Sequence, residues 1–111
     1  MLVTDASSAA GAGDGVVTVG GFTLSVVDGV PRLPDGTLAG STVPLIGQVR
    51  LLVERGCPVD RAVNLASRAP ARFYGLPGLG QLIVGGPADL LVVDDAIHLE
   101  RVLVRGDEVR R

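Results

Sequence analysis

The 111-residue sequence has no lysine and no tryptophan, one histidine, one cysteine and three aromatic residues. Each scarcity excludes something. With only Phe22, Phe73 and Tyr74 aromatic, there is no platform on which bases could stack. Every basic residue is arginine, the formal charge is −2, and the longest basic run is the terminal Arg110-Arg111 pair. This balance argues against nucleic acid as a partner. Cys57 stands alone, so no internal disulfide forms, and a reducing, cytoplasmic compartment fits best. The N-terminus lacks the basic-then-apolar pattern of a signal peptide, and no apolar run approaches the roughly 18 residues of a spanning helix. A membrane is therefore not an expected partner. His98 and Cys57 are the only good nitrogen and sulfur ligands, whereas a zinc site uses about three protein ligands or more, so no metal site is expected from these residues.

What is present is aliphatic. Hydrophobic residues make up 47% of the chain, enough for a core of Val, Leu and Ala in at most one ordinary domain. Residues 2–4 read as the end of a buried strand, and 6–15 as a Gly/Ala/Ser loop too flexible to order itself. In "VVTVGGFTLSVVDGVPRL", Val17, Val19, Phe22, Leu24 and Val26 alternate around Gly20-Gly21, and Asp28-Gly29 marks a second tight turn. Two antiparallel hairpins follow from that pattern. "PDGTLAGST" reads as a loop. A helix is predicted over 44–55, with Ser41 or Thr42 as cap, Pro44 in its first turn and Gly56 as its stop; Leu45, Ile46, Val49, Leu52 and Val53 form its apolar stripe. A second helix is predicted over 59–67 with Ala62, Val63 and Ala66 inward, and Pro70 ends it or opens a further short turn. "QLIV", "ADLLVVDD" and "LERVLVRGDEV" read as strands. These elements do not assemble into a familiar closed set of layers, and "LLVV" is apolar on both faces. The chain is expected to be one end of something larger.

Several residues invite a chemical reading. "GAGDG" at 11–15 superficially resembles a phosphate-cradling loop, but no helix follows and no lysine is present, so a loop is the better reading. Asp94-Asp95 sits where a strand meets a turn, and turn chemistry accounts for it. His98 is expected as a partly exposed strand residue and Cys57 as a small buried filler. Asp5 differs, because a carboxylate just past the C-terminal end of a strand is where barrel enzymes keep catalytic groups. On pattern alone, an Asp bonding to the turn that follows it remains the simpler alternative.

Three stretches carry a resemblance: "LVTDASSAAGAGDG", "DGTLAGSTVPLIGQVRLLVERGCPVDRAVNLASRAPARFYGL" and "GQLIVGGPADLLVVDD" with "LERVLVRGDEV". In order and spacing the chain resembles the C-terminal third of the N-acetylglucosamine-6-phosphate deacetylase family of amidohydrolases. The pair "VTDA…AG" and "DGTLAGS" is specific to those deacetylases, whereas "ADLLVVD" is shared more widely. The resemblance implies an α+β segment: the last strand and covering helices of a (β/α)8 barrel over residues 1–78, and strands of a small β-sandwich over 79–111. It implies Asp5 as the catalytic acid–base group, Leu38, Ala39 and Gly40 as lining for the sugar, partly through backbone groups, and Thr4 and Ala6 as supporting neighbours. It also implies an amino-sugar phosphate substrate, a divalent metal such as zinc in the intact family enzyme, and a homo-oligomer or association with a missing N-terminal part. The family's Glu and His ligands have no counterpart here. The chain alone is therefore expected neither to hold the metal nor to turn over. Two other readings stand beside this one: a non-catalytic interaction module derived from an amidohydrolase, and a segment of an amidohydrolase acting on cyclic amides. The "DGTLAGS" loop argues against the latter.

Overall fold

The computed structural model describes residues 1–109, so Arg110-Arg111 lies outside the described residues. Among the described residues, six strands and three helices make an α+β arrangement with two three-stranded antiparallel sheets. It divides into two units: Thr4–Pro44, and Met1–Val3 together with the chain from Leu45 onward.

Within Thr4–Pro44, β1 (Gly15–Val19), β2 (Phe22–Val27) and β3 (Val30–Arg32) form one meander. Both turns are two residues long and both central residues of each have positive φ: Gly20 (59°) and Gly21 (83°), then Asp28 (51°) and Gly29 (72°). Such turns match the twist of the flanking strands, which is why the two hairpins follow from the sequence pattern. Alternation along β2 buries Leu24 and Val26, which pack with Ala9 and with the partly buried Val17, Leu33 and Ala39. Ala9 is fully buried, and the 6–15 stretch is ordered by contacts unavailable to a short-range reading. Ser7 Oγ accepts the Ala9 N–H, and the Ala10 and Ala12 amides bond back to the Ser7 and Ala9 carbonyls. The loop is thus folded onto the sheet rather than floppy.

In the other unit, α1 (Leu45–Glu54) packs its Ile46, Val49, Leu52 and Val53 stripe with Ala62 and Ala66 of α2 (Val59–Ala66). Val63 does not join them; it is 45% exposed, and only the Ala62 and Ala66 side of α2 turns inward. Gly56 (φ 89°) ends α1: its N–H bonds to the Val53 carbonyl and that of Cys57 to Leu52, closing a Schellman motif with Cys57 packed in the core. The hydroxyls expected to cap α1 act elsewhere, Ser41 Oγ accepting from Val43 N–H and Thr42 Oγ1 donating to the Gly29 carbonyl. Pro70 lies inside a third helix, α3 (Arg68–Phe73), near its start where a missing N–H costs little.

The second sheet is β4 (Leu90–Val93), β5 (Leu99–Val104) and β6 (Asp107–Glu108). Two predicted strands are absent. Residues 2–4 have no ladder partner among the described residues; Leu2 instead donates its N–H to the Leu65 carbonyl. Gln81–Val84 is irregular, with Leu82 and Val84 almost wholly exposed. Both stretches have strand composition, and composition alone does not supply the neighbouring chain a strand requires. No helix among the described residues is long and apolar enough to cross a membrane.

Candidate functional site

Asp5 adopts φ 48°, a left-handed conformation in which non-glycine residues pay a steric penalty. Such strain persists only where surrounding contacts over-determine it, and it concentrates at working sites. The contacts here are specific. The Ser41 N–H donates to the Asp5 carbonyl at 2.8 Å, the Ser7 N–H donates to the Ser41 carbonyl at 2.9 Å, and Ala6 and Ser41 form a parallel β-bridge. The backbone around Asp5 is clamped on both sides while its side chain stays exposed.

The clamp works only because residue 40 is glycine. Gly40 has φ 76°, and a Cβ there would sit 2.6 Å from the Asp5 carbonyl oxygen and 3.3 Å from the Ser7 nitrogen. A side chain at position 40 and the present position of Asp5 are mutually exclusive. The "LAG" segment is held from its other side by β3: Ala39 donates its N–H to the Pro31 carbonyl at 2.9 Å, and Arg32 pairs with Leu38 in an antiparallel bridge. Ala39's N–H is thus committed to β3, so a backbone contribution toward a ligand does not come from it. Leu38 is 60% exposed and presents its side chain to solvent.

The turn leading into this segment is built by Asp35, whose Oδ1 accepts the Thr37 N–H at 2.9 Å. That bond, followed by one from the Thr37 hydroxyl, holds the Asp35 carboxyl below its ordinary range. Arg32 Nη1 closes the turn on the Gly36 carbonyl at 2.9 Å. A second carboxylate, Asp14, accepts from the N–H groups of Asp28 (Oδ2) and Gly29 (Oδ1), each at 2.9 Å.

The structure therefore brings Asp5 and Leu38–Gly40 together through backbone hydrogen bonds within Thr4–Pro44. It also adds Ser41, Thr42 and Asp14, which sequence reasoning missed. The only local signal was the Asp14-Gly15 pair, and its partner turn lies about as far along the chain as a whole hairpin. Thr4 and Ala6 adjoin Asp5 in the chain, and Ala6 forms the bridge to Ser41.

The remaining candidates lie elsewhere. Asp94 Oδ1 accepts the Ala96 N–H (2.9 Å) and the His98 N–H (2.7 Å), and its Oδ2 lies 3.0 Å from exposed His98 Nδ1. Turn chemistry accounts for this pair. Among the described residues no three His, Cys, Asp or Glu side chains gather as a metal site would require. The described residues do not by themselves offer the ligand set of the divalent ion that the resemblance implies.

Comparison with known proteins extends these observations. The chain is 38% identical over 108 residues to an N-acetylgalactosamine-6-phosphate deacetylase of Escherichia coli O157:H7, covering 96% of this chain and 29% of that protein. It superposes on the crystal structure of an N-acetylglucosamine-6-phosphate deacetylase from Thermotoga maritima with TM-score 0.87 and 37% identity, covering 98% of this chain and 30% of that one. A third likeness is to an aspartate-to-alanine mutant of the Mycobacterium smegmatis N-acetyl-D-glucosamine-6-phosphate deacetylase in complex with N-acetyl-D-glucosamine-6-phosphate (TM-score 0.79, 38% identity, 96% of this chain, 29% of that one). The chain spans less than a third of the length of each of these three. Residues 3–109 match the amidohydrolase family, and with nearly the whole sequence inside that match, the protein belongs to the amidohydrolase family.

Proposed function

We propose that this chain supplies the acid–base carboxylate and part of the sugar-binding wall of a deacetylase that converts N-acetylglucosamine 6-phosphate to glucosamine 6-phosphate and acetate. The observation that carries the reading is the clamp of Gly40 and Ser41 on a strained, solvent-facing Asp5. In the reaction, the Asp5 carboxylate removes a proton from the water that attacks the acetamide carbonyl carbon. It then returns that proton to the amide nitrogen, so the C–N bond breaks with a neutral amine leaving. Leu38 offers an apolar contact to the sugar ring, and glycine at 40 keeps the wall low where the acid must reach. The substrate complex of the Mycobacterium smegmatis mutant, in which one aspartate is replaced, is consistent with a carboxylate that matters for turnover. The same reading assigns residues 1–78 to the end of a (β/α)8 barrel and 79–111 to a small β-sandwich. It also places the protein in the cytoplasm, self-associated or joined to further chain.

The test is a chimaera in which these residues replace the matching part of the Thermotoga maritima deacetylase. It should deacetylate the sugar phosphate, and Asp5→Asn should lower kcat by about 10²–10⁴-fold with little change in KM. A folded chimaera that is inactive, or an Asp5→Asn variant that keeps most of its kcat, overturns the proposal. Because the relatives include both C4 epimers, the assay compares N-acetylglucosamine 6-phosphate with N-acetylgalactosamine 6-phosphate, and the former should give the higher kcat/KM.

A further inference from the structure

Resting on that reading, we infer that Asp14 is a positioning residue, holding both the acid and the sugar-facing segment in place from the far side of the β2–β3 turn. Its carboxylate bridges two successive backbone N–H groups, those of Asp28 and Gly29, at 2.9 Å each. Hydrogen bonds to a charged acceptor are the stronger kind, and a two-point grip fixes orientation as well as distance. The grip also holds Asp28 at φ 51°, a conformation that aspartate adopts less freely than glycine. Two connections leave the gripped turn. The Gly29 carbonyl accepts the Thr42 hydroxyl, and β3, which begins one residue later, accepts the Ala39 N–H at the Pro31 carbonyl. Between them Thr42 and Ala39 bracket Gly40 and Ser41, the two residues that lie against the Asp5 carbonyl. The path from Asp14 to Asp5 thus runs through hydrogen bonds joined by one to two residues of backbone, and beyond Asp14 itself crosses no side chain other than Thr42.

β3 has only three residues, and beyond the Arg32–Leu38 bridge and the turn bonds of Asp35 and Arg32, the Gly40–Ser41 pair depends on the Ala39 and Thr42 bonds for its place. A general weakening of the hairpin predicts something different, because the Thr18–Thr23 hydroxyl pair at 3.3 Å lies on β1 and β2 beside the other turn and leads nowhere near the site.

The experiment compares Asp14→Ala, Asp14→Asn and Thr18→Val. Hydrogen–deuterium exchange at the Ala39 and Ser41 amides is measured on this chain, and kcat and KM on the chimaera. Asp14→Ala should speed exchange at both amides by about tenfold or more and lower kcat/KM in parallel. Asp14→Asn, which keeps one acceptor oxygen, should fall between Ala and the parent, and Thr18→Val should change neither readout. If Asp14→Ala fails to fold, Asp14→Asn carries the same comparison. Parental exchange at Ala39 and Ser41 in the Asp14 variants, or an equal effect from Thr18→Val, overturns the inference. Failure of the deacetylase reading looks different: exchange responds to Asp14 while Asp5→Asn leaves turnover intact.

Discussion

Among the described residues the buried apolar side chains between Thr4 and Pro44 are Ala9, Leu24, Val26 and Pro31; from Leu45 onward they are Val49, Ala62, Ala71 and Ile97. The lists are similar in size, but the means of ordering differ. The first region relies on polar side chains bonding to backbone: Ser7, Asp14, Asp35, Ser41 and Thr42 each satisfy a main-chain group. Glycines there take the conformations the turns demand. The second has a smaller set of such bonds, from Ser67, Asp89 and Asp94, and adds helix stripes packing together. Both leave large apolar side chains exposed, Val16, Phe22 and Val27 in the first and Leu82, Ile83 and Val84 in the second. Backbone hydrogen bonds fix geometry closely but contribute only about 0.5–1.5 kcal/mol each. A buried Val or Leu contributes roughly 1.5–3 kcal/mol with looser directional demands. The region that carries the candidate acid is the one built for position, and the helical region is built for burial.

The largest effect that could break this contrast is expected at Gly40. Gly40→Ala adds a Cβ 2.6 Å from the Asp5 carbonyl at a φ alanine disfavours, so Asp5 must move. In the chimaera the loss of kcat should approach that of Asp5→Asn, about 10²-fold or more. Parental turnover in Gly40→Ala would mean that the clamp does not aim the acid. The helical region should answer to truncation instead. Ile97 is buried with Val49 and Ala62, and Ile→Ala changes of this kind cost about 2–5 kcal/mol. Its φ of 61° is a strained setting for a β-branched residue, so part of the loss is returned and the lower half of that range is expected. Denaturant unfolding of Ile97→Ala measures it, and a change below about 0.5 kcal/mol, the scale of a surface substitution, would show that this core is not what holds the region. A third, smaller effect concerns the exposed apolar stretch. Replacing Leu82 and Val84 by Ser should shift sedimentation toward the monomer while changing folding stability by no more than about 0.5 kcal/mol. Unchanged sedimentation would leave that stretch without a role in association.

What the sequence revealed follows the same division. The hairpins were legible because Gly20-Gly21 and Asp28-Gly29 are local signals for a two-residue turn, and α1 because its stripe and Gly56 stop lie within one short window. Leu2-Val3-Thr4 and Gln81–Val84 misled because they have the composition of strands, while a strand also needs a partner that a local window does not contain. Asp5 stood out only as an acid after a short apolar run, and the resemblance, not the periodicity, singled it out. Its clamp was invisible: nothing in "DGTLAGS" says that Gly40 lies against Asp5, because that contact joins residues a whole sheet apart in the chain. Asp14 was passed over for the same reason, its glycine-rich surroundings reading as a loop until Asp28 and Gly29 appear opposite it.

The smallest effect tests whether a polar device of the first region's kind also holds the second where the helices do not. Asp94 ties the β4–β5 connection, accepting from the His98 and Ala96 amides while Ile97 between them enters the core. Its carboxyl is held below the ordinary value of 3.8, chiefly by the His98 N–H, then by the His98 side chain. A carboxylate depressed in the folded state adds stability that is complete above its unfolded pKa and disappears as pH falls through the lower folded value. The increment should therefore be present at neutral pH, begin to fade below about 3.8 and vanish at more acid pH. Both side chains are exposed, so the increment is small and salt weakens the His98 part of it. Asp35 and Glu108 are depressed as well, the latter by the two-pronged Arg101 bond, so the parent curve alone does not isolate Asp94. Subtracting the thermal melting profile of Asp94→Asn removes their contribution, because Asn keeps an acceptor for the amides but carries no charge to titrate. The difference between the two profiles should shrink as pH falls below about 4. Parallel profiles down to the acid limit would show that the β4–β5 connection is held by the burial of Ile97 alone.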